Sequence, residues 1–278
     1  MPVFRLPDLC SVRLDPYRNI RTTNLTRFSG WFIAESRPLV ERLVQSSLVI
    51  ESILVQEKYA DEAMDRLPPE YDLLIMPDEQ VSELVGFAFH RGYLACGIRP
   101  KYFALDRGLL SQDPNWMGVM LVGLQDPENM GSILRSCAAL GISDIFIGPG
   151  CVDPFARRVL RVSMGNAFKL KYFEAKDSLV ALEFFRGCQM ESVAACLSDT
   201  SEDLSQFRRN GSTLVVLGNE AHGLPQSVQN AADRRIRIEM ELGTDSLNVS
   251  VAAGILLHNL RRELVRISKS EPNGNRSK

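Results

Sequence analysis

Apolar residues along this chain fall into short runs separated by amphipathic stretches, a pattern that predicts strands alternating with helices. Between residues 29 and 105 the clearest apolar runs are Val49 to Val55 and Asp72 to Met76, and both are predicted to be strands. Pro38 to Gln45 has helical spacing, and its proline suits the first turn of a helix. Residues 29–105 are therefore predicted to form a small α/β domain.

From Met117 onwards the alternation is more regular and predicts a second α/β domain built on a parallel sheet. Its strands are predicted at residues 120–124, 144–148, 170–173, 192–197 and 213–217. Its helices are predicted at residues 131–140, 153–163 and 178–186, with another beginning at residue 225. Ligands bind at the carboxyl ends of the strands in such sheets, so the loops that leave the strands are the expected site.

The stretch from Arg235 to Leu260 is the most informative part of the chain. Ile236, Ile238 and Met240 alternate with polar residues, as in a half-buried strand. After a turn, Val249 to Leu260 is almost wholly apolar or small, which predicts a helix that is too short to span a bilayer and is buried in a core or against a partner chain. An ordinary capped core helix is the simpler interpretation of this stretch alone, although its polar first turn suits a polar ligand.

Three segments lie outside the two predicted domains. Residues 1–28 are rich in arginine and proline and are predicted to form a basic N-terminal arm, which is a solvated tail in the simpler interpretation and an RNA-contacting arm in the sharper one. Residues 106–117 are polar and turn-rich, and they are predicted to be a linker. The second domain is then expected to span residues 118–266, followed by a flexible tail at 267–278.

Composition narrows the class of protein. The 278 residues suffice for one large domain or two ordinary ones, and the 45% hydrophobic content is that of a globular chain. The formal net charge of -2 does not exclude a polyanionic partner, because binding needs only a local basic face. None of the six cysteines forms a CxxC or Cys/His pair, so no metal site is predicted. With no visible signal peptide and no apolar run of ~20 residues, a soluble cytoplasmic protein without a membrane segment is expected.

Two residues in the strand-exit loops could carry chemistry. Arg135 lies about one helical turn after Gly131, where a planar guanidinium suits a phosphate or carboxylate, although a lone arginine is more often a surface residue. Glu220 follows a buried strand and lies between Gly218 and Gly223, which allow a ligand to approach the backbone closely. Neither loop is a GxGxxG fingerprint or a P-loop, so a generic nucleotide-binding oxidoreductase is disfavoured.

Taken together, three strand-exit loops resemble the three motifs of the SpoU/TrmH family of RNA 2'-O-ribose methyltransferases, which belongs to the SPOUT superfamily. The first motif is Asn129-x-Gly131-x-x-x-Arg135, and the second is Leu217-Gly218-Asn219-Glu220-x-x-Gly223-Leu224. The third is Ile238-x-Met240 followed by Ser246-Leu247-Asn248. The resemblance covers Met117 to about Leu264, and residues 29–105 more loosely resemble the family's ribosomal-protein-L30-like substrate-binding domain.

This resemblance implies a fold and a reaction. The implied fold is a parallel-sheet SPOUT methyltransferase domain with a C-terminal trefoil knot, which is a rare exception among protein folds. The implied cofactor is S-adenosylmethionine, and the implied acceptor is a ribose 2'-hydroxyl in RNA. The resemblance also implies a homodimer, for which the helix at Val249 to Leu260 is a candidate interface.

Site residues follow from their positions in the motifs. Cofactor binding, largely through backbone groups, is implied for Leu217, Gly218, Ile238, Met240 and Leu247. The reaction centre is implied to contain Asn129, Arg135, Glu220, Ser246 and Asn248. A guanidinium stays protonated at neutral pH and is a poor base, so our hypothesis is that Arg135 grips a phosphate and stabilises the developing alkoxide while Glu220 orients it. The candidate RNA footprint is a group of three arginines on one predicted helix, for which a solvated charged face is an equally good interpretation: Arg157, Arg158 and Arg161.

Two positions depart from the family's pattern. The third motif commonly has proline between its isoleucine and methionine, whereas this chain has Glu239. This change puts the rigidity of the cofactor loop in doubt more than it does activity. In the ribosomal-protein-L30-like part a Glu-Gly pair is usual, whereas here Glu35 is followed by Ser36.

Three functions stay open at this point. Methylation of ribosomal RNA is favoured by the two-domain layout, and transfer RNA is the alternative substrate of the same enzyme. A non-catalytic RNA-binding or ribosome-assembly factor with this fold is the third, and failure to bind S-adenosylmethionine would distinguish it.

Overall fold

The computed structural model of the chain describes residues 1–21 and 29–270, with side chains described as far as Arg261. The chain divides into two compact units. The first comprises Met1–Lys101 and Asp153–Lys169, and the second comprises Tyr102–Val152 and the chain from Leu170 onwards. Each unit is built on a single sheet.

The first unit has five strands, namely β1 (Val3–Arg5), β2 (Trp31–Glu35), β3 (Ile50–Gln56), β4 (Leu73–Met76) and β5 (Tyr93–Ile98). Its helices between the strands are α1 (Arg37–Val44), α2 (Ala60–Arg66) and α3 (Asp78–Val85). The strand order is β1-β4-β3-β5-β2, and β5 runs antiparallel to both of its neighbours. The other two pairings are parallel, so the predicted small α/β domain is present as a mixed sheet.

Residues 1–21 are part of this unit, which corrects the predicted N-terminal arm. β1 pairs with β4 at the edge of the sheet, and a short 3-10 helix follows at Val12–Tyr17. Tyr17 is fully buried, and its hydroxyl donates a 2.9 Å hydrogen bond to the carbonyl oxygen of Ser52. The pattern was missed because a three-residue strand and a single short 3-10 helix are too brief to show a period. Residues 22–28 of the predicted arm lie outside the described residues.

The segment Asp153–Lys169 also belongs to the first unit. The sequence pattern had predicted that this segment is part of the second domain, at residues 118–266. It contains α5 (Arg157–Val162). Phe155 and Phe168 pack against Phe32 of β2, with ring centroids 5.1 and 5.7 Å apart. Hydrophobic periodicity predicts that a helix has a buried face but not which sheet covers that face, so the assignment to a domain was wrong.

The second unit contains seven strands: β6 (Met117–Leu121), β7 (Asp144–Ile147), β8 (Lys171–Glu174), β9 (Glu191–Ala195), β10 (Glu202–Asp203), β11 (Thr213–Leu217) and β12 (Arg234–Arg237). Its helices are α4 (Pro127–Ala139), α6 (Ser178–Gly187), α7 (Gln226–Ala231) and α8 (Val249–Ser270). The strand order is β10-β12-β9-β11-β6-β7-β8, and every pairing is parallel. The predicted parallel α/β sheet is thereby confirmed, and its strand-exit loops share one edge.

Residues 106–117, predicted to be a linker, are anchored to the second unit. Leu110 and Trp116 are buried, and the indole Nε1 of Trp116 donates a 2.7 Å hydrogen bond to the carboxylate of Asp144. Because the segment is mostly polar, its two buried apolar residues were not recognised from the sequence. Its last residue, Met117, is the first residue of β6.

α8 extends beyond its predicted end at Leu260 and reaches Ser270. The first residues of the predicted tail, 267–270, are therefore helical, and residues 271–278 lie outside the described part of the chain. Within residues 1–21 and 29–270, no helix is both long enough and apolar enough to cross a membrane.

Candidate active site

The loop that follows β6 leads into α4 through an ordinary helix start. The carboxylate of Asp126 accepts a 3.0 Å hydrogen bond from the backbone N–H of Glu128, and Pro127 occupies the first turn. Asn129 lies in that first turn and is only 6% exposed. Arg135 lies further along α4 and is exposed, and its guanidinium has no hydrogen-bond or ion-pair partner among the described residues.

The loop that follows β11 doubles back on itself. Asn219 and Gly223 exchange two backbone hydrogen bonds of 3.0 Å each. A Cβ atom on Gly218 would lie 2.4 Å from the carbonyl carbon of Gly223, closer than any side chain tolerates. Only glycine fits at this position. The sequence predicted that Gly218 lets a ligand approach the backbone closely, whereas here it is the backbone of Gly223 that approaches it.

The third loop ends at α8, whose first turn is capped by Asn248. Its side-chain Oδ1 accepts hydrogen bonds of 2.9 Å from the backbone N–H and 2.6 Å from the hydroxyl of Ser250. A capping asparagine has its amide nitrogen left over, and here that group donates a 2.9 Å hydrogen bond to Oδ1 of Asn129. One side chain therefore both starts α8 and fixes it against α4.

Asn129 joins the three motifs, because it is hydrogen-bonded to both Glu220 and Asn248. Glu220 is held from several sides. Its Oε1 accepts a 3.3 Å hydrogen bond from the amide of Asn129 and a 3.1 Å bond from the backbone N–H of Asp126. Its Oε2 accepts a 3.2 Å bond from the side chain of Asn219. Asn248, Asn129 and Glu220 thus form a continuous chain of hydrogen bonds, which we call the Asn-Glu network. In this network the orientation of each amide is dictated by the next group.

Two predicted reaction-centre residues lie outside this network. Ser246 is exposed in the loop before α8. Arg135 forms no ion pair with Glu220 among the described residues, and the carboxylate contacts Asn129 instead. The hypothesis that Glu220 orients Arg135 is not supported by a direct contact and stays a prediction. The sequence pattern predicted that Arg135 and Glu220 both lie in loops that leave the strands. It could not predict which side chains contact each other.

A cavity of about 330 Å³ lies beside the network, within the second unit. All five predicted cofactor-binding residues line it: Leu217, Gly218, Ile238, Met240 and Leu247. Glu220 and Ser246 line it as well, whereas Asn129, Arg135 and Asn248 do not. Glu220 is thus the residue that belongs to both the cavity and the Asn-Glu network.

The cavity wall also contains residues that the sequence did not single out, notably Cys196, Leu197 and Arg237. Cys196 and Leu197 follow the end of β9, and Arg237 is the last residue of β12. The signal that could have found them is their position at strand ends, since ligands bind at the carboxyl ends of parallel strands.

The thiol of Cys151 lies near the same sheet edge and donates a 3.2 Å hydrogen bond to the carbonyl oxygen of Leu121. Burial raises the pKa of this thiol, and the charge of Glu220 acts in the same direction. Cys151 is therefore a neutral thiol at neutral pH and acts as a packing residue here.

The three predicted RNA-binding arginines lie on α5, in the first unit. Arg157 and Arg161 each approach Oε2 of Glu35 at 3.5 Å, and Arg91 approaches Oε1 at 3.2 Å. Glu35 is only 2% exposed, so two of the three arginines have the buried carboxylate as an ion-pair partner. Arg158 is exposed on the same helix.

These features define a class of protein: a parallel α/β protein whose ligand cavity lies at the carboxyl ends of its strands. The family model of the SpoU rRNA methylase family matches residues 117–258. An uncharacterised tRNA/rRNA methyltransferase of Mycobacterium bovis is 30% identical over 268 residues, which cover 90% of this chain and 88% of that protein.

A 23S rRNA (guanosine-2'-O-)-methyltransferase of Acinetobacter baylyi is 27% identical over 192 residues, covering 66% of this chain and 76% of that protein. Among solved structures, the AdoMet-bound rRNA methyltransferase from Sinorhizobium meliloti superposes with a TM-score of 0.81 at 23% identity, covering 94% of this chain and 98% of that one. The chain belongs to the SpoU rRNA methylase family. Its parallel α/β fold is shared with the rRNA methyltransferase from Sinorhizobium meliloti.

Proposed function

We propose that this protein transfers a methyl group from S-adenosylmethionine to a ribose 2'-hydroxyl in RNA, with ribosomal RNA as the favoured substrate. The observation that carries the proposal is the place of Glu220, which lines the cavity and also anchors the Asn-Glu network. A small-molecule donor in the cavity would then lie next to an ordered set of amide groups drawn from all three motifs. The relative from Acinetobacter baylyi, named as a guanosine-2'-O-methyltransferase of 23S rRNA, supports both the ribose and the ribosomal assignments.

The residues of the cavity fit the proposed cofactor. Its volume of about 330 Å³ is in the range of small-molecule sites, which run from about 300 to 1,000 Å³. Leu217, Ile238 and Leu247 supply apolar walls for an adenine ring, while Glu220 and Ser246 supply polar groups. The neighbour from Sinorhizobium meliloti was solved with AdoMet bound, which supports the same cofactor here.

S-adenosylmethionine would supply a methyl group on positively charged sulfur, and the attacking ribose oxygen must lose its proton. Arg135 is exposed and lacks an internal partner among the described residues, so its guanidinium is available to bind the RNA phosphate beside the reacting ribose. It cannot accept the proton itself, but it stabilises the negative charge that develops on the oxygen. The Asn-Glu network would hold the ribose in line with the donor.

The proposal includes a homodimer, a C-terminal trefoil knot and a ribosomal-protein-L30-like role for the first unit in RNA binding through α5.

The dimer is supported by the exposed apolar side chains of Val251 and Ile255 on α8, which are 51% and 39% exposed. Two β-branched side chains one turn apart on a helix suit contact with another apolar surface. Sedimentation of the purified protein tests this part, and a monomer at micromolar concentration would contradict it.

The enzymatic proposal is tested by incubating the purified protein with total RNA and labelled S-adenosylmethionine, beside an Arg135→Ala variant. We expect label in RNA at linkages that resist alkali, because a methylated 2'-oxygen cannot attack the neighbouring phosphate. We expect no label with the variant. Alkali-sensitive label would place the methyl group on a base and contradict the ribose assignment.

A second measurement separates the alternative function. Calorimetry with S-adenosylmethionine should show binding to both the wild type and Arg135→Ala, because Arg135 does not line the cavity. RNA binding without cofactor binding or label would favour the non-catalytic RNA-binding factor. Label in transfer RNA rather than ribosomal RNA would change the substrate and leave the reaction intact.

A further inference from the structure

Arg237 is the last residue of β12, and its half-buried side chain lines the cavity. Its guanidinium makes no hydrogen bond or ion pair with any described residue, and its Nε is buried without a partner. The other arginines of the strand differ. Arg234 pairs with Glu202 at 2.6 Å, and Arg235 donates a 2.9 Å hydrogen bond to the carbonyl oxygen of Gln229.

Asp203 acts on Arg237 through its charge but makes no direct contact with the guanidinium: hydrogen bonds from Ser205 lower the pKa of Asp203, and the charge of Arg237 acts in the same direction. Asp203 is the register partner of Arg237 on the neighbouring strand β10. Its carboxylate accepts a 2.7 Å hydrogen bond from the backbone N–H of Ser205, and it forms no ion pair with Arg237 among the described residues. A half-buried cation without a hydrogen-bonded ion-pair partner is unfavourable, because it loses hydration and the more distant charge of Asp203 replaces only part of it. The arrangement is understandable if the counter-charge comes from a ligand.

We propose that Arg237 binds the carboxylate of the methionine moiety of S-adenosylmethionine. This inference rests on the proposed function, since it assigns a residue to the proposed cofactor. The carboxylate is the one anionic group of that molecule, whereas its sulfonium and amino groups are cationic. Arg237 and Glu220 bring opposite charges to the cavity wall, which matches a zwitterionic ligand.

The sheet order separates these charges by a suitable distance. β9 lies between β12, which ends at Arg237, and β11, which leads to Glu220. Neighbouring strands are about 4.8 Å apart, so the two strand ends are roughly 10 Å apart, the scale of an extended cofactor. If the carboxylate of the cofactor binds Arg237, the cationic sulfur of the cofactor would therefore lie toward Glu220 and the Asn-Glu network.

The test compares two ligands that differ in the group concerned. S-adenosylhomocysteine carries the amino-acid moiety, and 5'-methylthioadenosine lacks it. Both are titrated by calorimetry into the full-length wild type, Arg237→Gln and a matched control, Arg107→Gln. Arg107 is exposed, has no partner among the described residues and does not line the cavity.

We expect Arg237→Gln to weaken S-adenosylhomocysteine binding about 10- to 100-fold, the loss typical of a charge-assisted contact, and to change 5'-methylthioadenosine binding less than about twofold. The Arg107→Gln control should match the wild type with both ligands. Arg237→Lys, which keeps the charge without the fork, should bind S-adenosylhomocysteine with intermediate affinity.

Several outcomes would overturn the inference. Equal losses for both ligands would mean that Arg237 supports the cavity wall structurally, and no loss for either would mean that it contacts neither. Unchanged ligand binding with weakened RNA binding would assign Arg237 to an RNA phosphate instead. If the wild-type protein bound neither ligand, both the proposed cofactor and this inference would be contradicted. If the wild type bound the ligands and Arg237→Gln had no effect, only this inference would be contradicted.

Discussion

Ser36 is held in a backbone conformation that side-chain-bearing residues rarely adopt, with φ 104 and ψ 150. Its N–H donates to the carbonyl oxygen of Tyr93, and its own carbonyl oxygen accepts the first hydrogen bonds of α1 from Leu39 and Val40. These bonds fix the turn between β2 and α1. Glycine, which the resemblance to the ribosomal-protein-L30-like domain leads us to expect at this position, adopts such angles without steric cost.

Replacing Ser36 with glycine should therefore stabilise the protein by about 1 kcal/mol, since the strain of a non-glycine residue at positive φ is removed. Little is lost in exchange, because the serine side chain makes no capping hydrogen bond to α1. Urea unfolding measures the change. Ser36→Ala is the control, because it removes the hydroxyl but keeps the strained Cβ, and an equal gain from alanine would refute the explanation.

At Arg135, charge and geometry can be separated by a conservative change. Arg135→Lys keeps the positive charge but loses the planar fork, so we expect methyl transfer to fall about 100-fold, on the scale of losing one donor that stabilises an oxyanion. Cofactor binding and unfolding should not change, because the side chain is exposed and lies outside the cavity. The Arg107→Lys variant provides the matched control, and full activity of Arg135→Lys would show that the fork has no role.

At the scale of elements, a buried carboxylate ties α5 into the first unit. Glu35 ends β2 and has three arginines around it, two from α5 and one, Arg91, from the turn before β5. Burial lowers the pKa of Arg157, as do the charges of Arg161 and Arg91, while the charge of Glu35 opposes them. The negative charge of the Glu35 carboxylate thus offsets the repulsion among these three arginines.

Glu35→Gln should destabilise the protein by about 2–3 kcal/mol, somewhat below the usual cost of breaking a buried pair because the arginines are partly exposed. The matched control is Glu41→Gln, whose partner Arg37 lies 3.6 Å away on the exposed face of α1 and whose loss should cost less than about 0.5 kcal/mol. Urea denaturation of both variants gives the comparison. Equal effects would mean that the Glu35 cluster is no stronger than a surface pair.

The loop between β12 and α8 offers a test of the departure at Glu239. This residue is exposed, does not line the cavity, and its N–H donates no hydrogen bond among the described residues. Glu239→Pro should therefore stiffen the loop without removing a contact and strengthen S-adenosylhomocysteine binding about two- to fivefold. Glu239→Ala should leave the affinity unchanged, and calorimetry in which proline weakened binding would show that the loop must move to admit the ligand.

Much of the second unit followed from its sequence, for physical reasons that particular elements make plain. The buried strand at Thr213–Leu217 and the glycine-rich loop after it were predicted at the observed positions, because a short apolar run and a glycine-rich turn are local signals. The hydrogen bond between Asn248 and Asn129 joins residues 119 positions apart, and local patterns carry no information about such a contact. The pairing of Glu35 with Arg161, 126 positions apart, was hidden for the same reason.

For the whole molecule, the main consequence is that the first unit is not one continuous piece of chain. Residues 1–101 make up most of it, but Asp153–Lys169 supplies Phe155 and Phe168, which are 1% and 5% exposed against Phe32. Asp153 also pairs with Arg99 at 2.6 Å, which brings the start of this segment close to the end of the first one. Cutting the chain at residue 101 would therefore remove part of a core.

A fragment of residues 1–101 should consequently fail to unfold cooperatively and should bind a hydrophobic dye. Losing two buried aromatic side chains costs about 3–5 kcal/mol each, which is comparable to the whole stability of a small domain. Joining residues 153–169 to its end through a short Gly/Ser linker should restore a cooperative thermal transition, because the Arg99–Asp153 pair shows that the two ends lie close together. The same fusion carrying Phe155→Ala and Phe168→Ala is the matched control and should not recover. If residues 1–101 alone melted as cooperatively as the fusion, the segment would be an accessory to this unit and not part of its core.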